Sequence, residues 1–195
     1  MHVDPDTVDL EIQRPMPGID SSDYQVSRQF TYLVRKIWNV RQMHDLKGKA
    51  KGKPDNEWTS DPKFIGLGGT LPKWLDDLPR DLQVTFPDDE TPPWLPSHFV
   101  GNMHTYYHLT LIMLHRPLLG RSSAYADGSW KRYMVVCYRS SKLMCRLQEG
   151  IFQTYGMDGL ISMQRGINFV IYSVLTCVCV HLVSIVLCFP IVQVD

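Results

Sequence analysis

Histidine supplies the first hint of chemistry. His104, His108 and His115 stand four and then seven residues apart within SHFVGNMHTYYHLTLIMLHRP, residues 97–117. On a helix they form one stripe, and imidazoles so arranged can hold a transition metal. Distance limits that reading: at about 1.5 Å per residue His115 lies roughly 10 Å along the axis from His108, too far for three rings to share one ion. His104 and His108 are one turn apart, but Thr105, Tyr106 and Tyr107 lie between them. A hydrolytic zinc site of the H-E-x-x-H kind needs a glutamate there as general base. The expectation is packing histidines, with no metal ligand among them.

Nucleophiles give no stronger pattern. There is no G-x-S-x-G turn, and the five cysteines (Cys137, Cys145, Cys177, Cys179 and Cys188) fall in apolar stretches of helical pattern. Cys177-Val178-Cys179 is C-x-C rather than the redox spacing C-x-x-C, and apolar surroundings disfavour a thiolate. Gly66, Gly68 and Gly69 are not followed by Lys-Ser/Thr and do not form G-x-G-x-x-G, so they make no phosphate loop. The aspartates cluster in loops. We therefore expect no catalytic, cofactor-binding or metal-binding residues in this chain, and not an enzyme.

Two basic clusters remain. KGKAKGK sets Lys47, Lys49, Lys51 and Lys53 among small residues, the composition of a solvated loop. Lys131, Arg132, Arg139, Lys142 and Arg146 fall on one helical arc of about 100°, with Tyr133, Met134, Cys137, Met144 and Leu147 opposite. A face like this can touch phosphates or acidic partners. More often it is simply solvated, and Glu149 interrupts it.

The elements that carry these residues read as helices. Residues 1–20 hold five acidic residues and three prolines without periodicity, a disordered lead-in with no secretory leader. Ser22 with Gln25 opens a helix carrying Val26, Phe30, Leu33, Ile37 and Val40 to about Leu46. Asp61-Pro62 opens a short helix and Leu71 to Leu78 another, stopped by Pro79. Asp88 to Pro96 spell a surface loop. Ser97 caps the central helix; Phe99, Met103, Tyr107, Leu111 and Leu114 form its core face, and Pro117 stops it. A further helix runs from Trp130 to a terminus at Gly150.

Gly166 to Val194 contains no charged residue. About 20 apolar residues span a bilayer, so a membrane helix in a tail-anchored arrangement is one reading. Asn168, Ser173, Thr176, His181 and Ser184 suit a buried helix better. The chain's 195 residues carry 20 basic and 20 acidic side chains, a balance that argues against a dedicated nucleic-acid or membrane surface. An odd cysteine count, in apolar helices, fits a reducing intracellular compartment.

MHTYYHLTLIMLHRPLL, Met103 to Leu119, resembles the signature helix of the fungal zinc-binuclear-cluster transcription factors, in which a helix bearing tyrosine and histidine ends in a His-Arg-Pro-like tripeptide. His115, Arg116 and Pro117 stand at that position. The order around it is similar too: a long helix with Arg35, Ile37 and Trp38, then LPKWLDDLP (Leu71 to Pro79), a helix with Cys137 and Leu143, and GINFVIYSVLTCVCVHL (Gly166 to Leu182). Within the family the chain is most similar to the regulators of fatty-acid and cutinase genes. The resemblance implies an all-α, multi-helix regulatory domain, partial, over residues 21–182, in a nuclear protein that regulates transcription. Its partners would be proteins of the transcription machinery or the factor's own DNA-binding domain. The family holds zinc in an N-terminal cluster of six cysteines; no cysteine precedes Cys137 here, so the expectation is no cofactor in this chain and contact with DNA only through a cluster that is missing. Residues 183–195 do not resemble the family, and Val183-Ser184 is what the splice-donor sequence GTAAGT encodes, so this apolar tail reads as run-on sequence. The alternative function is a tail-anchored membrane protein with a soluble helical adaptor, inserted through Gly166 to Val194.

Overall fold

The structure is a computed structural model that describes residues 24–34, 41–42, 45, 61–119, 126–162 and 166–188. Of these residues 82% are helical and none lies in a strand, so the chain is all-α. The lead-in, the lysine loop around Lys49, and Phe189 to Asp195 lie outside the described residues. The chain divides into two compact units, Met1–Leu82 and Gln83–Asp195.

In the first unit, helix α1 is described over residues 24–34. Of its expected apolar stripe only Leu33 is buried, while Val26 and Phe30 face solvent; Ile37, Val40 and Leu46 lie outside the described residues. Helix α2 runs Pro62–Asp76 as one element, where the sequence suggested two short ones. Asp61 accepts from the Lys63 amide at 2.8 Å and starts it. Leu67, Leu71 and Trp74, at i, i+4 and i+7, bury one face straight across the glycines. That continuous stripe outweighs the weak propensity of Gly66, Gly68, Gly69 and the internal Pro72. Trp74 Nε1–H donates to the Tyr32 carbonyl at 3.2 Å, fastening α2 to α1. Arg28 pairs with Asp81 at 2.6 Å beside a single 3-10 turn, Arg80–Leu82.

The second unit holds the central helix. Helix α3 spans His98–Leu119, and the Ser97 hydroxyl accepts from the Val100 amide at 3.2 Å as expected of a cap. Met103, Tyr107, Leu109, Ile112 and Leu114 are buried. Leu111, expected in the core, is only half-buried; Ile112 takes that place at 0% exposure. Pro117 does not end the helix. It forfeits one backbone hydrogen bond, yet Leu118 and Leu119 are buried and hold a further half-turn.

Helix α4 spans Trp130–Ile161 and corrects the expected stop at Gly150. That glycine is interior and buried because the chain at Pro93 passes over it: a Cβ there would sit 3.1 Å from the Pro93 carbonyl oxygen. The real break comes at Gly156, whose φ of 65° and ψ of −162° are non-helical and lie in a region essentially reserved for glycine. The turn beyond it returns to α3, where Asn102 Nδ2, almost fully buried, donates to the Gly159 carbonyl at 2.8 Å. Helix α5 spans Ile167–Cys188 and passes Leu182 without interruption. Gln148 lies opposite Ser173, Cys145 opposite Cys177 and Ser141 opposite His181, a one-turn ladder that makes α4 and α5 antiparallel. Leu95, Leu147, Ile151 and Leu160 form a core cluster with Val84, Phe86, Tyr155 and Val170 packed against it.

Candidate functional site

The histidine stripe is divided by its surroundings. His104 and His108 are buried, at 2% and 5% exposure. The His108 ring meets Tyr107 and Phe86 edge-on, at centroid distances of 5.1 and 6.2 Å. His115 is elsewhere: its Nδ1–H donates to the Leu111 carbonyl at 2.8 Å, and its ring lies 6.1 Å from Tyr133. Burial lowers its pKa, the Leu111 bond opposes this, and the Arg132 cation lowers it further. Among the described residues no three His, Cys, Asp or Glu side chains gather as a metal would require. Cys137 is buried in α4, and Cys179 faces solvent on α5.

Two of the five residues of the basic arc are engaged within the molecule. Arg146 donates from Nη2 to the Pro87 and Thr91 carbonyls, each at 2.6 Å, and from Nε to Thr91 at 3.0 Å. Its guanidinium lies over the Phe86 ring at 5.3 Å. Lys142 pairs with Glu90 at 2.6 Å, and Glu90 takes a left-handed φ of 63° to reach it. Asp89 accepts from the Thr91 amide at 3.0 Å. The proline-rich segment expected as a surface loop is thus a strap clamped to α4. Pro93 and Leu95 point inward while Trp94 is 80% exposed, and Tyr155 O–H donates to the Leu95 carbonyl at 2.8 Å. Lys131, Arg132 and Arg139 remain on the surface.

One thiol pair was not foreseen. Cys145 on α4 and Cys177 on α5 interact side chain to side chain, and this bond, helped by His181 and opposed by burial, lowers the Cys145 pKa to about 7. Cys177 shifts upward for the complementary reasons: its bond to Cys145, then burial. The Cys177 thiol also points at the Ser141 carbonyl, 3.5 Å away. In sequence the two are 32 residues apart, and only the α4–α5 register brings them together.

Helix α5 is turned inside out. Its inner face carries Ser173, Thr176 and Cys177 with Phe169 and Val180, all at 6% exposure or less. The hydroxyls of Ser173 and Thr176 bond back to carbonyls of their own helix, at 2.9 and 2.7 Å, which removes the cost of burying them. Its outer face is apolar. Ten large hydrophobic residues of α5 are 41–67% exposed, more than a solvated helix ordinarily shows. Ile167–Val186 is long and apolar enough to cross a membrane, with mean hydropathy 2.4, and 33% of that stretch is buried.

No family model, curated protein or solved structure matches the chain.

Proposed function

We propose that the chain is a regulatory, protein-binding module of a nuclear transcription regulator, of the kind its Met103–Leu119 helix resembles, acting through docking rather than through a reaction. The observation that carries this reading is the employment of that helix. Met103, Tyr107, Ile112, Leu114, Leu118 and Leu119 are all buried, so the motif-bearing segment is the scaffold of its unit, with Arg116 and Pro117 exposed at its end. His108, His115, Cys177 and Arg146 are engaged with the scaffold, whereas Trp94 and the outer face of α5 are exposed. Buried aromatic anchors dominate protein recognition, and Trp94 on a clamped strap is placed to serve as one. Contact with DNA would depend on a separate zinc cluster.

Tethering tests this directly. The chain fused to a heterologous DNA-binding domain should alter transcription of a reporter relative to that domain alone, and Trp94→Ala should diminish the effect. A fusion that is nuclear and soluble yet leaves the reporter unchanged would overturn the reading.

A further inference from the structure

We propose that α5 is a self-association seam, its outer face closing against the same helix of further copies of this chain. The spacing on that face is specific. Ile171, Leu175, Val178, Leu182 and Ile185 follow one another at steps of four, three, four and three residues, and are 49%, 57%, 48%, 57% and 53% exposed. This is the 3.5-residue repeat of a coiled-coil seam, with Leu at position a and Ile or Val at position d. One step earlier the same frame puts exposed Asn168 at an a position, where a lone Asn sets the register of matched strands. The seam belongs to the outer face alone, because Phe169, Ser173, Thr176, Cys177 and Val180 turn inward at the b, c and f positions.

The occupant follows from area and charge. Ten residues at about half exposure leave on the order of 800 Å² of largely apolar surface, about what one partner gives to a standard interface. Without a charge on α5, two identical faces meet with no like-charge repulsion, and no charged e or g residue selects a different partner. The seam covers only two and a half heptads, short for an isolated coiled coil, but α5 is already held helical by α4, so nucleation is not paid on association. Leu at a with β-branched residues at d, flanked by apolar Tyr172 and Val174, favours more than two strands. A bilayer fits less well: α5 lies along α4, whose Arg139, Lys142, Arg146 and Glu149 would have to follow it into hydrocarbon.

Sedimentation velocity on the purified full chain is the test. The expected mass is two or more times the 22.5 kDa of one chain. Leu175→Glu with Leu182→Glu should give a monomer with unchanged helical circular dichroism, while Phe152→Glu, on exposed α4 surface, should leave the assembly intact. Mixing the double-Glu variant with a Leu175→Lys, Leu182→Lys variant should restore association, which neither misfolding nor nonspecific clumping would do. A wild-type monomer at tens of micromolar, at an affinity a standard interface should exceed, overturns the proposal. So does assembly indifferent to the Glu pair, or a chain that sediments as a monomer and floats with neutral phosphatidylcholine vesicles.

Discussion

Cys145 and Cys137 share a helix and differ in almost everything else. Burial pushes the Cys137 thiol up to about 12, while the bond from Cys177 brings Cys145 down to about 7. Thiolate is the reactive form, so alkylation by iodoacetamide should label Cys145 first, with a rate rising through a midpoint near pH 7. Peptide mass spectrometry across pH 5–9 reads this, and Cys177→Ala should move the midpoint upward. His115 gives a second residue-level prediction, of opposite use. Its folded pKa lies below the unfolded 6.5, so the unfolded chain takes up more protons on acidification, and stability falls as pH drops through that value. Thermal unfolding at pH 7.5 and 5.5 should show the loss, and His115→Gln, keeping a donor for the Leu111 carbonyl, should reduce it. Chemistry of either kind was only half legible beforehand. The spacing 104, 108, 115 correctly divides the histidines by distance along an axis, but a thiol pair on two helices has no signature in one strand of sequence.

At the scale of elements, glycine separates what pattern reveals from what it conceals. Gly68 and Gly156 both have open space where a Cβ would go, and only Gly156 has a positive φ. Gly68→Ala should stabilise by about 0.5–1 kcal/mol, the usual gain in a helix interior. Gly156→Ala should destabilise by about 1–3 kcal/mol, because its backbone sits where L-residues are strained. Chemical denaturation of the two variants checks both signs. The all-α character, the Ser97 cap and the opposition of Met134, Cys137, Met144 and Leu147 to the basic arc were readable from period and capping chemistry. Helix ends were not. Pro117 and Gly150 are ordinary stop signals, and each was overridden by packing: buried Leu118 and Leu119 in one case, the close pass of Pro93 in the other. The same override joined two short helices into α2. Propensity is a local quantity of tenths of a kcal/mol to a few, and a buried leucine outweighs it.

For the molecule as a whole, the strap decides how much positive charge is available. With Arg146 and Lys142 engaged, α4 should contribute only a shallow salt dependence to duplex binding, through Lys131, Arg132 and Arg139. Fluorescence anisotropy between about 50 and 200 mM salt should show no site preference, and replacing those three by Ala should lower the log–log slope by at most about three. Arg146→Ala should release the strap, costing about 1–3 kcal/mol through its bonds to two carbonyls, a loss that chemical denaturation reads. The inside-out helix has a further consequence, in the economy of the cell. An outer row of leucine and isoleucine is what chaperones and degradation machinery read as damage, and a chain displaying it alone is a client for both. Copies made slowly would be cleared before they met, and copies made quickly would outlast surveillance. Abundance of this protein should therefore rise more steeply than its rate of synthesis.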